Sequence, residues 1–199
     1  NVDAKVRRRL RAQLRDLKLQ TNFGGVYVTH DQEEAMELAD TLAIMEHGRI
    51  RQLASAHEVY SRPASIYVAD FVGEVNQWQG RVEKAADGTA EVSTTFGSFS
   101  VADAGTAAKR GAAGWLVIRP ERVGITLAHE RVDTGTDYRF SGRVHDIIYF
   151  GARYEIRVEL QGCEITAFLA DDGVSKVNFN RGDEVEVILP KDSVRWLPE

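Results

Sequence analysis

The sequence predicts two unlike parts in succession: a short α/β segment over residues 1–75, then an all-β barrel or sandwich over 76–199. Two observations carry this reading. Up to about residue 73, apolar residues recur at helical spacing between short β-branched runs, whereas beyond residue 76 nearly every apolar run is strand-like. The second part is also cut by turn signals (Asp87-Gly88, Phe96-Gly97-Ser98, Gln161-Gly162, Arg181-Gly182-Asp183) at the interval expected of many short strands.

A first helix is expected over about 4–19, where Val6, Leu10, Leu14 and Leu17 form one apolar stripe. Lys5, Arg7, Arg8, Arg9, Arg11, Arg15 and Lys18 cover the remainder and read as a solvated face; contact with nucleic acid or anionic lipid is the alternative. Gly24-Gly25 breaks the pattern, and the β-branched run Val26-Tyr27-Val28-Thr29 suits a buried strand of a parallel sheet. A helix over about 32–40 follows, with Asp31 as N-cap and Glu34 completing a capping-box pattern. Residues 42–45 and 49–53 read as two strands joined by a tight turn, and Ser55 opens a short helix that Pro63 closes. One or two further helical turns over 65–71 end at Gly73. In the second part, strands are expected at 77–84, 90–93, 96–101, 115–119, 123–127, 138–149, 153–160, 163–169, 184–189 and 193–197. Gly80-Arg81-Val82 after Trp78 and Gly142-Arg143-Val144 after Phe140 suggest an internal repeat, or coincidence.

Composition narrows the functional classes. A length of 199 residues accommodates one large or two small cores. No apolar run reaches the roughly 20 residues that cross a bilayer, so no direct membrane insertion is expected. The net charge of −5 argues against a nucleic-acid binder, and the single Cys163 fits a reducing compartment. The opening Asn1-Val2-Asp3-Ala4-Lys5, without a preceding strand, reads as a cut inside a larger domain.

The sharpest feature is Val26-Tyr27-Val28-Thr29-His30-Asp31-Gln32-Glu33-Glu34-Ala35. A histidine between a strand and a capped helix sits where α/β sheets bind ligands, and its imidazole can donate a hydrogen bond to a phosphate. These residues resemble the H-loop of ABC ATPases, and the following Leu38-Ala39-Asp40 and Leu42-Ala43-Ile44-Met45-Glu46-His47-Gly48-Arg49-Ile50 match the same family. Asn1 to Arg7 resembles its D-loop segment. His57-Glu58-Val59-Tyr60 and Val68-Ala69-Asp70-Phe71-Val72-Gly73 resemble the end of importer-type nucleotide-binding domains. Ala54 departs from the glycine usual there. The resemblance implies an α/β remnant of a P-loop ABC ATPase domain, with His30 as the switch histidine that senses the γ-phosphate. It implies that Asp3 is the D-loop aspartate coupling two ATP sites across a dimer interface.

The chain lacks the phosphate-cradling Gly-x-x-x-x-Gly-Lys-Ser/Thr motif, the signature motif and the Walker B carboxylates. ATP and magnesium are therefore expected in the full-length parent, with neither bound to this chain alone, which should be inactive by itself. Ile118-Arg119-Pro120-Glu121-Arg122-Val123, Tyr149-Phe150-Gly151-Ala152-Arg153-Tyr154 and Arg181-Gly182-Asp183 resemble the transport-associated OB-type (TOBE) domain of the same importers. The partners implied are a second ATPase subunit, forming a homodimer, and membrane permease subunits. The location implied is cytoplasmic, peripheral on the inner face of the plasma membrane. The solute implied is a polyamine or ferric iron. The competing reading is a stand-alone OB-type ligand sensor or single-strand-binding module, using Tyr149, Phe150, Arg153 and Tyr154; these residues also read as cross-strand packing and a turn.

Overall fold

The computed structural model describes residues 4–21, 23–102, 104–105, 107–127, 137–171 and 178–198. They form two compact units, residues 1–73 and 74–199.

In the first unit α1 (Ala4–Thr21) is followed by α2 (Gln32–Leu38), β1 (Leu42–Glu46), β2 (Arg49–Ala54), α3 (Ala56–Ser61) and α4 (Ile66–Phe71). The two strands pair antiparallel across His47-Gly48, both at positive φ, the conformation that a two-residue hairpin of the right twist requires. Ser55 and Ser65 cap α3 and α4 by accepting the backbone N–H groups of Glu58 and Val68. Leu42 and Ile44 of β1 bury against Val59, Val68 and Val72, making a small core.

Two expectations fail in this unit. Residues 26–29 form no strand: Val26 is 95% exposed and Val28 90%. A parallel strand needs sheet neighbours to satisfy its backbone, and the only described strands of this unit pair with each other. The stripe of α1 is likewise turned outward, with Val6, Leu10, Leu14 and Leu17 each more than 40% exposed. Among the described side chains of α1 the buried one is Arg11, because the surface offered to α1 by α2 is acidic.

The second unit consists of β3 (Asn76–Ala86), β4 (Thr89–Ser93), β5 (Ser98–Val101), β6 (Ala113–Ile118), β7 (Gly124–Leu127), β8 (Tyr138–Tyr149), β9 (Arg153–Leu160), β10 (Cys163–Ala170), β11 (Glu184–Leu189) and β12 (Arg195–Pro198). They make two five-stranded sheets ordered β12-β6-β3-β4-β5 and β7-β11-β8-β9-β10, which share one core. The orders match strand for strand, so residues 76–127 and 138–198 are two copies of one motif. In each copy the last strand, after a 3₁₀ turn at Pro120–Arg122 or Lys191–Ser193, crosses to the other copy's sheet.

The repeated Gly-Arg-Val tripeptides occupy equivalent places. Each strand shifts register just past the valine, between Val82 and Lys84 and between Val144 and Asp146. Each valine N–H bonds to a loop carbonyl (Ala112, Asp183), and each valine carbonyl accepts a glycine N–H (Gly111, Gly182). A Cβ on Gly80 would lie 2.7 Å from Val92 Cγ1, and one on Gly142 would lie 2.5 Å from Val158 Cγ1, so both positions exclude larger residues.

The first residue of each copy seals the outer strand of the opposite sheet. The Asn76 side-chain amide donates to Thr166 O and its carbonyl accepts from Thr166 N, both at 2.8 Å. The Tyr138 hydroxyl accepts from Ser100 N at 2.6 Å and donates to Ser100 O at 2.9 Å. Each clamp satisfies backbone groups that an open edge would present to another chain. Asn76 is buried and Ser100 is exposed. Replacing Asn76 by Ala should therefore destabilise the second unit by about 1–3 kcal/mol in urea unfolding, since Thr166 loses both partners away from bulk water. Tyr138→Phe should cost less, because water can reach Ser100; the reverse ranking would contradict this assignment.

Candidate functional site

His30 lies exposed on the loop entering α2. Its neighbours are tied down on both sides. Thr29 Oγ1 accepts the Asp31 backbone N–H at 3.0 Å and donates to Glu34 Oε2 at 2.7 Å. Asp31 Oδ1 accepts the Glu34 backbone N–H at 3.1 Å, capping α2. The Tyr27 hydroxyl donates to Glu34 Oε2 at 3.2 Å. This differs from a simple capping box, in which the glutamate would itself accept the N-cap N–H. Here Thr29 is inserted between them. The residues before and after His30 are thereby fixed through one carboxylate, while His30 itself stays exposed.

α1 contributes the cations. Arg7 Nη1 donates to Asp31 Oδ2 at 3.4 Å. Arg11 Nε donates to Glu37 Oε2 at 2.7 Å and its Nη2 to Glu33 Oε2 at 3.1 Å. Lys18 Nζ lies 2.6 Å from Asp40 Oδ2 and donates to Leu38 O. The expectation of a merely solvated basic face is thus incomplete for Arg7, Arg11 and Lys18. A signal was present in the sequence: Glu33 and Glu37 lie one helical turn apart, so that one cation opposite, here Arg11, can reach both.

Asp3, the expected D-loop residue, lies outside the described residues. Of the groups that the ATPase resemblance places around a nucleotide, His30 is therefore the one described here. No cluster of three or more His, Cys, Asp or Glu that could hold a metal ion occurs among the described residues. No described helix is long and apolar enough to cross a membrane.

In the second unit Tyr149 and Tyr154 are cross-strand partners, with ring centroids 4.8 Å apart, and Phe150-Gly151-Ala152 forms the turn between them. Arg153 lies 3.7 Å over the Phe168 ring and 3.4 Å from Glu74 Oε1, while the Tyr149 hydroxyl donates to Asp171. The motif that suggested stacking on bases is built as cross-strand packing, with its cation already engaged.

The Glu34 backbone N–H, aided by the Glu33 N–H and the Arg7 guanidinium, holds the Asp31 carboxyl below the usual carboxylate range. A carboxyl lowered by folding contributes stability that is fully present above its unfolded value, about 3.9, and is lost as pH falls through the lowered folded one. The Asp31 cap of α2 should therefore persist from pH 8 to 5 and loosen only in more acid solution. An NMR titration of the Asp31 carboxyl should give a midpoint below that of a free aspartate; a midpoint at or above it would refute the cap.

Residues 116–197 match the TOBE domain family. The whole chain is 36% identical to the spermidine/putrescine import ATP-binding protein PotA of Chromobacterium violaceum, of which it covers 55%. It is 32% identical to the sulfate/thiosulfate import ATP-binding protein CysA of Bacillus cereus, with 97% of this chain and 53% of that protein covered. The chain thus spans about half the length of these relatives. The cytoplasmic molybdate-binding protein ModG shares the fold at a TM-score of 0.52 and 19% identity, over 62% of this chain and 96% of that one. The chain therefore carries a TOBE domain and, along its full length, matches the C-terminal part of ATP-binding subunits of ABC importers.

Proposed function

We propose that this chain is the C-terminal part of the ATP-hydrolysing subunit of an importer, a subunit that couples ATP hydrolysis to solute uptake. The observation that carries the reading is the fixed Thr29-His30-Asp31 loop, in a chain that matches import ATP-binding proteins from end to end. In phosphoryl transfer a protein mainly positions groups and stabilises charge, so one well-aimed imidazole is enough to sense whether a γ-phosphate is present. His30 takes that role, and Asp3 links the two ATP sites of a homodimer. Magnesium-bound ATP is held by the remainder of the subunit, which supplies the phosphate cradle. The permease subunits anchor the assembly at the cytoplasmic face of the membrane. Polyamines are the first solute class to consider, given the spermidine/putrescine relatives, with ferric iron and sulfate as alternatives.

In the whole subunit, His30→Ala should lower kcat for ATP hydrolysis by about 10²–10⁴-fold, with ATP affinity changed only a few-fold. Full hydrolysis by His30→Ala would remove the sensor role. The 199-residue chain alone should show no hydrolysis above background. Uptake assays with labelled spermidine, ferric iron and sulfate, in cells lacking and regaining the subunit, assign the solute.

A further inference from the structure

α2 has seven residues, none of them buried, so neither its length nor its own core burial keeps it in place. Ala35 and Met36 lie half-buried against the small core. Beside the hydrogen bonds of Tyr27 and Thr29 to Glu34, α2 is seated by ion pairs from one face of α1. Arg7, Arg11 and Lys18 are four and seven residues apart, a spacing that stacks them along that face. They meet α2 at its start, its middle and its end, through Asp31, Glu33 with Glu37, and Asp40.

Arg11 is central to this arrangement. It is the buried one among the described side chains of α1 and engages two carboxylates one helical turn apart with separate nitrogens of its planar fork. A shift of α1 along or about its axis cannot keep both bonds unless α2 follows. α2 in turn carries Asp31 as its cap and Glu34 as the acceptor of Thr29, so the loop holding His30 moves with it.

We propose that Arg11, assisted by Arg7, is a positioning residue for His30: the ion-pair ladder from α1 seats α2 and thereby sets where the Thr29–Asp31 loop presents the imidazole. The mechanical link through α2 is independent of what His30 does; its effect on turnover rests on the sensor reading given above. Arg11 acts through α2 and touches no reacting atom.

The test uses the whole ATP-binding subunit and two readouts. Amide hydrogen exchange over residues 29–34 should accelerate about tenfold in Arg11→Gln and in Glu37→Gln. The double variant should be no faster than Arg11→Gln, because that substitution already removes the Glu37 contact along with the Glu33 one. In the same proteins kcat should fall about tenfold while KM for ATP stays within about twofold, the pattern of a lost transition-state alignment. Arg11→Lys keeps the charge without the fork and should lie between wild type and Arg11→Gln in both readouts. In a His30→Ala background, Arg11→Gln should still accelerate exchange but lower kcat no further. Unchanged exchange over 29–34 in both Arg11→Gln and Glu37→Gln would overturn the proposal. So would faster exchange with an unaltered kcat while His30→Ala is inactive. If His30→Ala is fully active, the sensor reading fails, and the exchange data alone decide whether the ladder orders the loop. Should Arg11→Gln not fold, Glu37→Gln and Arg11→Lys carry the same comparison, since each leaves Arg11 or its charge in place.

Discussion

The second unit is organised by the exchange of its closing strands. β7 leaves the first copy of the motif to pair with β11, and β12 leaves the second to pair with β6. Neither sheet is complete without a strand from the other copy, so the shared core forms only when both copies are present. The clamps of Asn76 on Thr166 and Tyr138 on Ser100 add a second reciprocal link at the opposite edges. Glycines 80 and 142 let the neighbouring strands approach closely enough for this packing. Much of the pairing joins residues far apart in sequence, which raises the entropic cost of reaching the native topology.

The first unit has no comparable closure. Its small apolar core is built by one hairpin and the two short helices after it, with Ala35 and Met36 of α2 packed at its side, while α1 and the extended run 23–29 leave large apolar residues exposed. Polar contacts join α1 to α2, and one of them, Arg7 to Asp31, reaches the residue next to His30. A loop held by carboxylates, hydroxyls and guanidinium groups is fixed in direction without being sealed from water. That suits the phosphate-sensing role proposed for His30.

Several elements were legible before the structure, because their cause is local. The His47-Gly48 hairpin, the serine caps of α3 and α4, the aspartate cap of α2 and most strands of the second unit follow from turn chemistry and periodicity within a few residues. The echo between Gly80-Arg81-Val82 and Gly142-Arg143-Val144 was also visible, though its meaning lay in matching bulges and close approaches that involve residues far along the chain. The run 26–29 has every local property of a buried strand. It is not one here, because a strand is defined by its neighbours rather than by its own residues.

By itself the sequence determined an α/β segment followed by an all-β domain, and it placed His30 at the entrance to a capped helix. Both rest on short-range patterns, and so did the resemblance to importer ATPases that His30 anchored. Tertiary structure alone decided which face of α1 is buried, that Arg11 rather than the Val6–Leu17 stripe makes the contact, and that the two β copies trade their last strands. Each of these depends on what surface is available opposite a residue. No local pattern encodes that surface, because it is supplied by residues elsewhere in the chain.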